Sequence, residues 1–376
     1  MAAAEDTRMM AEALALSQRA AGRTSPNPLV GAVIVANGQV VGRGFHTRAG
    51  EAHAEIVALR QAGAAARGAT LYVTLEPCNH SGKTGPCAEA LIAAGIGRVV
   101  AAMPDPDPVV NHRGLARLRE AGLAVEVGLL EAQAQRVNEF YLKQRRTGLP
   151  FVTLKWAMSL DGKIGAGRGS ATAITGAAAR RYALELRNQY DAVLVGVGTV
   201  LADDPQLTCR LPAGTIPAPR NPLRIVVDSR LRTPLDSRVA AGTADAPTLL
   251  ATTAAAPKDH VEALRRAGAD VLVQENTSGR VDLVALMAEL GRRGLLSVLI
   301  EGGGIINASM VRLGLGDKVI ALIAPCLIGG AQAPSPLDGA ALEAIDEAPR
   351  LRDVVIRQLG EDLAVEGYLQ PGADGV

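Results

Sequence analysis

His53 and Glu55 stand one residue apart in "AHAEI", and Pro77-Cys78 and Cys87 follow in "EPCNHSGKTGPCAE". A histidine and two thiolates supply three ligands to a zinc ion and leave its fourth position to water. A carboxylate that is not a ligand then serves as a proton shuttle for that water, whose pKa zinc brings toward about 7. Residues two apart on a regular helix diverge by about 200°. His53 and Glu55 therefore share a site only where a helix begins, and Gly50 just upstream suits such a start. If Cys87 opens the helix "CAEALIAAG", the thiolates also gain from the positive potential at a helix end.

Other uses of these residues are open at this point. Cys78 and Cys87 could form a disulfide, which a reducing compartment disfavours. A structural zinc would take a fourth ligand, with His46 and His80 as candidates, but has no use for Glu55. The conjunction of H-x-E and P-C, both at strand-to-helix boundaries, points instead to a catalytic zinc. It matches the start of the signature of zinc nucleobase deaminases. The departure is the second cysteine, nine positions after the first rather than three.

The elements that must position these residues alternate. "LVGAVIVANGQVVGRGFH" predicts two strands joined at Asn37-Gly38, a pair suited to a tight turn. A helix over 52–61, a strand "TLYVTL", the cysteine loop and its helix, "RVVAAM", the helix "LARLREAG" and "LAVEVG" complete an α/β segment. Asp6 or Thr7 is expected to N-cap an N-terminal helix ending near Gly22. A short linker is expected around "LKQRRTGLPF", dividing the chain into domains 1–146 and 147–376. Beyond it, strands are expected at "FVTLKWAM", "AVLVGV", "LRIVVDS", "TLLATT", "ADVLVQ", "SVLIEG" and "KVIALIA". Helices lie between, including "GAAARRYALELRNQY" and "KDHVEALRRAG".

Bulk properties agree with two domains: 376 residues, 48% of them hydrophobic, exceed one ordinary core. The formal charge of +1 argues against a dedicated nucleic-acid surface. Acidic residues interrupt the apolar N-terminus, which lacks the basic start of a signal peptide, and no stretch reaches membrane-span length. A soluble cytoplasmic protein is the expectation. Cys209 and Cys326 read as isolated thiols.

The second half carries glycine turns after strands. Gly196, Gly198 and Thr199 follow "VLV", and Gly302, Gly303 and Gly304 lie between "SVLIE" and a predicted helix. Such glycines let backbone N–H groups approach a phosphate at a helix start, although neither turn is a G-x-G-x-x-G fingerprint.

"TSPNPLVGAVIV", "GRGFHTRAGEAHAE" and "EPCNHSGKTGPC" resemble the pyrimidine deaminase half of the bifunctional riboflavin-biosynthesis deaminase-reductases, whose zinc cysteines have this wide spacing. "LKWAMSLDGKI", "AVLVGVGTVLADDPQLTCR", "RIVVDSRLRTP" and "EGGG" resemble the reductase half. The resemblance implies a cytidine-deaminase-like domain followed by a dihydrofolate-reductase-like α/β domain. It implies zinc on His53, Cys78 and Cys87 with Glu55 catalytic, and deamination of 2,5-diamino-6-ribosylamino-4(3H)-pyrimidinone 5′-phosphate. NADPH-dependent reduction of the ribosyl side chain to ribityl would follow. Asn27 would meet the pyrimidine edge, and His46, His80 and Lys83 the ribose or phosphate. Lys155, Arg187, Leu207, Arg210 and Glu301 would face the reductase substrate, the cations suiting its phosphate. Met158, Ala173, Thr199, Asp203, Ser229 and Gly302–Gly304 would contact NADPH. Together with an exposed sheet edge, the resemblance also implies a homodimer.

The chain departs from the family's usual pattern at several positions. Ala173 and Ala171 stand where a Trp and a Ser are usual. Asp107 replaces a usual Asn, and a usual Gly is missing near His112. Asp203 and Glu301 are candidate proton donors. A zinc deaminase for another base, such as tRNA adenosine, would leave "EGGG" and "LADDPQLTCR" unexplained. A zinc-stabilised interaction protein would leave Glu55 unexplained.

Overall fold

The computed structural model describes residues 2–79, 85–108, 110–167, 173–212, 214–215, 219–339 and 344–370. Contacts divide it into two units, Met1–Gly148 and Leu149–Val376.

The first unit begins with α1 (Ala2–Gln18), then β1 (Gly31–Ala36), β2 (Gln39–Phe45), α2 (Ala54–Ala62), β3 (Thr70–Val73) and α3 (Cys87–Ala93). It continues with β4 (Arg98–Ala101), α4 (Arg113–Glu120), β5 (Ala124–Val127), α5 (Glu131–Val137) and α6 (Glu139–Thr147). The sheet runs β2-β1-β3-β4-β5, antiparallel through the hairpin and β3, parallel from β3 to β5. Asn37 and Gly38 both have positive φ, 51° and 73°, as a two-residue hairpin turn demands. The core is built from Ala32, Ile34, Ala54, Ala58, Leu71, Leu91 and Leu115. Small residues bring α2 close to the sheet. A Cβ at Gly44 would lie 2.1 Å from the Ala54 carbonyl oxygen, and one at Gly42 2.3 Å from that of Ala58. "VVGRGF" thereby seats the helix that carries the first chemical residues.

Two expectations are corrected. The N-terminal helix starts well before Asp6, which is no cap: it pairs with Arg98 at 2.7 Å and accepts from Tyr72 Oη. "LKQRRT" is not linker but the end of α6, with Tyr141 and Leu142 buried, Lys143 and Arg145 half-buried and Arg146 exposed. Gly148, in the left-handed region, stops that helix, so the connection is only a few residues long.

In the second unit the elements are β6 (Phe151–Ser159), α7 (Ala177–Gln189), β7 (Ala192–Gly196), α8 (Val197–Asp203), β8 (Leu223–Val227) and α9 (Arg238–Ala241). There follow β9 (Thr248–Thr252), α10 (Lys258–Arg266), β10 (Asp270–Val273), α11 (Leu283–Arg292), β11 (Ser297–Ile300) and α12 (Gly304–Arg312). The last strands are β12 (Lys318–Ala324), β13 (Leu351–Leu359) and β14 (Asp362–Leu369). The sheet order is β10-β9-β8-β7-β11-β6-β12-β14-β13, parallel as far as β12. Its buried strands read as near-continuous apolar runs, as parallel strands covered on both faces do. β13 and β14 form an antiparallel hairpin that sequence patterning did not single out, and β13 is exposed along most of its length. Strand order reverses around β7, β11 and β6, the kind of switch point beside which ligands bind at the strands' carboxyl ends.

Candidate functional sites

In the first unit His53 is the N-cap of α2, with extended backbone, and Glu55 lies in the first turn. The helix start therefore brings together two residues that a regular helix would separate. His53 Nδ1 is 3.2 Å from Cys87 Sγ and 3.5 Å from Cys78 Sγ, and the three ligand atoms all lie within 4.8 Å of one another. Ligand atoms around tetrahedral zinc stand about 3.5–3.8 Å apart, so the set fits that ion. Both cysteines are free thiols, which removes the disulfide reading. Among the described residues no other group of His, Cys, Asp and Glu is gathered this way.

Electrostatics support the same fit. Cys87 opens α3, and its backbone N–H points at Cys78 Sγ, 3.5 Å away. Hydrogen bonds from Cys87 and then His53 hold the Cys78 thiol well below the usual thiol range. Cys87 is driven the other way, first by the Cys78 sulfur and then by burial. Two thiolates this close need a cation between them, and a divalent metal supplies it. His53 is raised by its bond to Cys78. Glu55 is 3% exposed, and burial, then the Cys78 sulfur, push it up to about 7. A carboxyl that titrates there is suited to carrying a proton near neutrality.

His46, expected at the ribose or phosphate, is only 3% exposed. Its Nδ1 lies 3.2 Å from the Ala52 carbonyl oxygen, which only accepts, so Nδ1 carries the proton. Nε2 therefore accepts from Asn27 Nδ2 at 3.1 Å. Burial lowers its pKa, and its ring meets His53 edge-on at 5.5 Å. His46 thus orients Asn27 and backs His53 as a neutral ring, leaving Asn27 as the member of this pair suited to a base edge. His80 and Lys83 lie outside the described residues. Asp107 is held by Arg145 at 3.3 Å, and its N–H donates to Asp105, which gives the departure from Asn a place in the fold.

In the second unit Lys155 of β6, Arg187 of α7 and Glu301 at the end of β11 converge. Arg187 Nε and Nη2 donate to the two Glu301 oxygens at 2.6 and 3.0 Å, and Lys155 Nζ lies 3.3 Å from Oε2. Burial alone would raise Glu301, but Arg187 and Lys155 outweigh it and hold the carboxyl at about 2. The guanidinium fork expected to grip a phosphate is therefore engaged by Glu301. Arg210, whose Nη1 donates to the neutral Gln206 Oε1 at 2.8 Å, carries the less compensated charge. Burial and then Arg187 lower its pKa. Leu207, 2% exposed, sits in the left-handed region at φ 54°, as does Asp204 at 39°. Arg187 to the Thr208 carbonyl, Cys209 N–H to Asn221 and Arg224 to the Gln206 carbonyl hold this strained loop in place.

Beside this cluster lies a cleft of about 1180 Å³ at the strands' carboxyl ends, lined by Thr199, Asp203, Ser229, Gly303 and Gly304. The glycine run is sterically required. A Cβ at Gly302 would lie 2.6 Å from Thr199 Oγ1, one at Gly304 2.4 Å from the Ser335 carbonyl, and Gly303 has φ 82°. Burial raises Asp203. Met158, Ala173 and Gly302 are not among the lining residues, and Ala171 lies outside the described residues. Sequence reasoning missed Arg230, Arg232 and Arg280, cations on the cleft wall, and Asp228. Asp228 is 1% exposed; Oδ2 accepts from Thr233 N and Oγ1, and Oδ1 has no protein partner. The first two arginines and Asp228 lay in the quoted "DSRLRTP", whose charge in a stretch bordering a strand end was the available signal.

Residues 150–365 match the family described as RibD C-terminal domain, and residues 3–103 the cytidine and deoxycytidylate deaminase zinc-binding region. The chain is 43% identical over 366 residues to riboflavin biosynthesis protein RibD of Bacillus amyloliquefaciens, covering 97% of each chain. It is 42% identical over 373 residues to RibD of Escherichia coli (strain K12), covering 96% of this chain and 98% of that one. Among solved structures, Acinetobacter baumannii RibD superposes with TM-score 0.89 at 36% identity, over 98% of this chain and 99% of that one. A Thermotoga maritima diaminohydroxyphosphoribosylaminopyrimidine deaminase/5-amino-6-(5-phosphoribosylamino)uracil reductase gives 0.84 at 33% identity, over 99% and 100%.

Proposed function

Because this chain belongs to the RibD family of riboflavin-biosynthesis proteins, we propose that its two clusters divide the family's two reactions between residues 1–148 and 149–376. The chain is a bifunctional enzyme, a cytidine-deaminase-like zinc hydrolase joined to an NADPH-dependent reductase. It deaminates 2,5-diamino-6-ribosylamino-4(3H)-pyrimidinone 5′-phosphate and reduces the ribosyl side chain of the product to ribityl. The observation that carries the assignment of the first step is the His53–Cys78–Cys87 cluster with buried Glu55 beside it.

In this reading His53 Nδ1 and the two sulfurs hold zinc, which when bound supplies a Lewis acid that activates water for attack on the ring carbon. Glu55 takes a proton from the attacking water and delivers it to the departing amine, so that C–O forms, C–N breaks and ammonia leaves. Asn27, braced by His46, accepts or donates at the pyrimidine edge.

For the second step NADPH, when bound, supplies hydride. The Gly302–Gly304 turn and Thr199 hold it by backbone and hydroxyl, with Ser229 and Asp203 alongside. Arg230 and Arg232 offer charge for its additional phosphate. Lys155, oriented by Glu301, and Arg210 hold the substrate, and Leu207 shapes its pocket. Fixed orientation is the protein's main contribution to hydride transfer.

The assembly is a homodimer paired through β13, whose Val354, Val355 and Ile356 lie exposed on an edge strand. Among the described residues no helix is long and apolar enough to cross a membrane, and a cytoplasmic location goes with this reading. Purified protein tests the whole assignment. It should carry one zinc per chain, release ammonia from the diaminopyrimidinone and oxidise NADPH only with the deaminated product. A mass twice the monomer's, lost in Ile356→Lys, tests the dimer. Protein that lacks zinc, or oxidises NADPH equally with both pyrimidines, would refute the reading.

A further inference from the structure

Glu76 stands two residues before Cys78 and takes no part in the chemistry described above. Its side chain is buried, 4% exposed, and accepts four backbone hydrogen bonds. Oε1 receives the N–H groups of Gly114 at 2.9 Å and Leu115 at 3.2 Å. Oε2 receives those of His112 at 2.9 Å and Asp105 at 3.2 Å. Three of these donors belong to the start of α4, which lacks partners of its own there. Its N-cap residue, His112, makes no side-chain cap bond. A carboxylate from a distant segment does that capping.

The consequence falls on Cys78. A Cβ at Gly114 would lie 1.8 Å from the Pro77 carbonyl oxygen, so the first turn of α4 packs directly on the peptide that leads into the cysteine. On the other side, α3 grips the same residue: Ala88 N–H donates to the Cys78 carbonyl at 3.1 Å, and Cys87 N–H faces its sulfur. Glu76 N–H meanwhile donates to the Met103 carbonyl at 3.0 Å. Cys78 is thus clamped between two helix starts, and one jaw of the clamp is fastened by the Glu76 carboxylate.

We propose that Glu76 is a positioning residue for the metal centre, holding Cys78 Sγ at its distance from His53 and Cys87 before any metal arrives. The inference rests on the zinc reading of those three ligands. Partners one step removed from a ligand set its orientation, and losing one typically costs about 10–100-fold in metal affinity. The requirement is chemical as well as steric. Four inward-pointing N–H groups need acceptor oxygens, and an amide in place of the carboxylate would turn an NH2 toward two of them.

The test compares full-length wild type, Glu76→Gln and Leu118→Ala. Leu118 is a fully buried core residue of the same helix with no part in the clamp, so its variant reports plain loss of stability. Zinc affinity is measured by chelator competition, and the thiolate-to-metal absorption of the cobalt(II) form reports sulfur geometry. We expect E76Q to bind zinc about 10–100-fold more weakly with an altered cobalt spectrum and unchanged reductase activity, while L118A keeps wild-type affinity and spectrum. Wild-type affinity and spectrum in E76Q, or equal loss in L118A, would overturn the proposal. Should E76Q be recovered unfolded, Glu76→Asp is read instead. Its shorter tether should weaken binding in the same sense, and undiminished affinity there overturns the proposal equally. A wild-type protein that binds no zinc refutes the metal reading itself, and this inference with it.

Discussion

Arg187 and Glu301, 114 positions apart, meet as a two-bonded fork at 2.6 and 3.0 Å in a site where both side chains are almost wholly enclosed. Lys155 adds a second cation to the same carboxylate. The arrangement holds two positive groups on one negative charge. Breaking a buried pair by removing one partner leaves an uncompensated charge and costs about 3–5 kcal/mol. Glu301→Gln should therefore lower the unfolding free energy of the second unit by that order and abolish NADPH oxidation. Urea unfolding and a reductase assay check both halves of the statement.

The same carboxylate gives a pH dependence with a definite sign. Its pKa is depressed on folding, to about 2 from 4.5. The stabilisation is therefore fully present above about 4.5 and is lost as pH falls toward 2. Thermal unfolding followed across that window should show the wild type losing stability more steeply than Glu301→Gln. Parallel curves for the two proteins would mean that the pair contributes nothing through ionisation.

Gly302 has no room for a methyl group, because its Cβ would sit 2.6 Å from Thr199 Oγ1. Gly302→Ala must displace that hydroxyl or the turn, and overpacking of this kind costs about 1–3 kcal/mol. The KM for NADPH should rise about tenfold or more, with ammonia release unaltered. Steady-state kinetics on the two substrates separate the effects.

Arg230 and Arg232 line the cleft and lie outside the Lys155–Arg187–Glu301 cluster. Replacing both by alanine should weaken NADPH binding about tenfold or more while changing NADH binding little. The preference for NADPH should also become less sensitive to salt. Titration of both dinucleotides at two ionic strengths measures this.

Sequence alone carried the metal site a long way, because its chemistry depends on residue types that few other roles combine: His53, Glu55, Cys78 and Cys87. The strands from β6 to β12 were legible for a similar reason, since buried parallel strands are nearly unbroken apolar runs. What was hidden depends on tertiary partners. Asp6 looks like a cap until Arg98 and Tyr72 claim it, and "LKQRRT" looks like linker because its charges read as polar chain until Arg145 folds onto Tyr141 and Asp107. Burial turns His46 from a polar ligand candidate into a neutral brace. No local pattern reveals that Arg187 is already paired with Glu301, or that Glu76 caps a helix more than thirty residues away.

In the proposed function two independent sites act in succession, with Glu55 as proton carrier of the first alone. Glu55→Gln tests this most directly, by ammonia release from the diaminopyrimidinone phosphate and NADPH oxidation with the deaminated product on the same folded protein. Ammonia release should fall about 10²–10⁴-fold, with zinc content and NADPH oxidation at wild-type levels. Ammonia release that persists, or both activities falling together in a folded variant, would contradict that function.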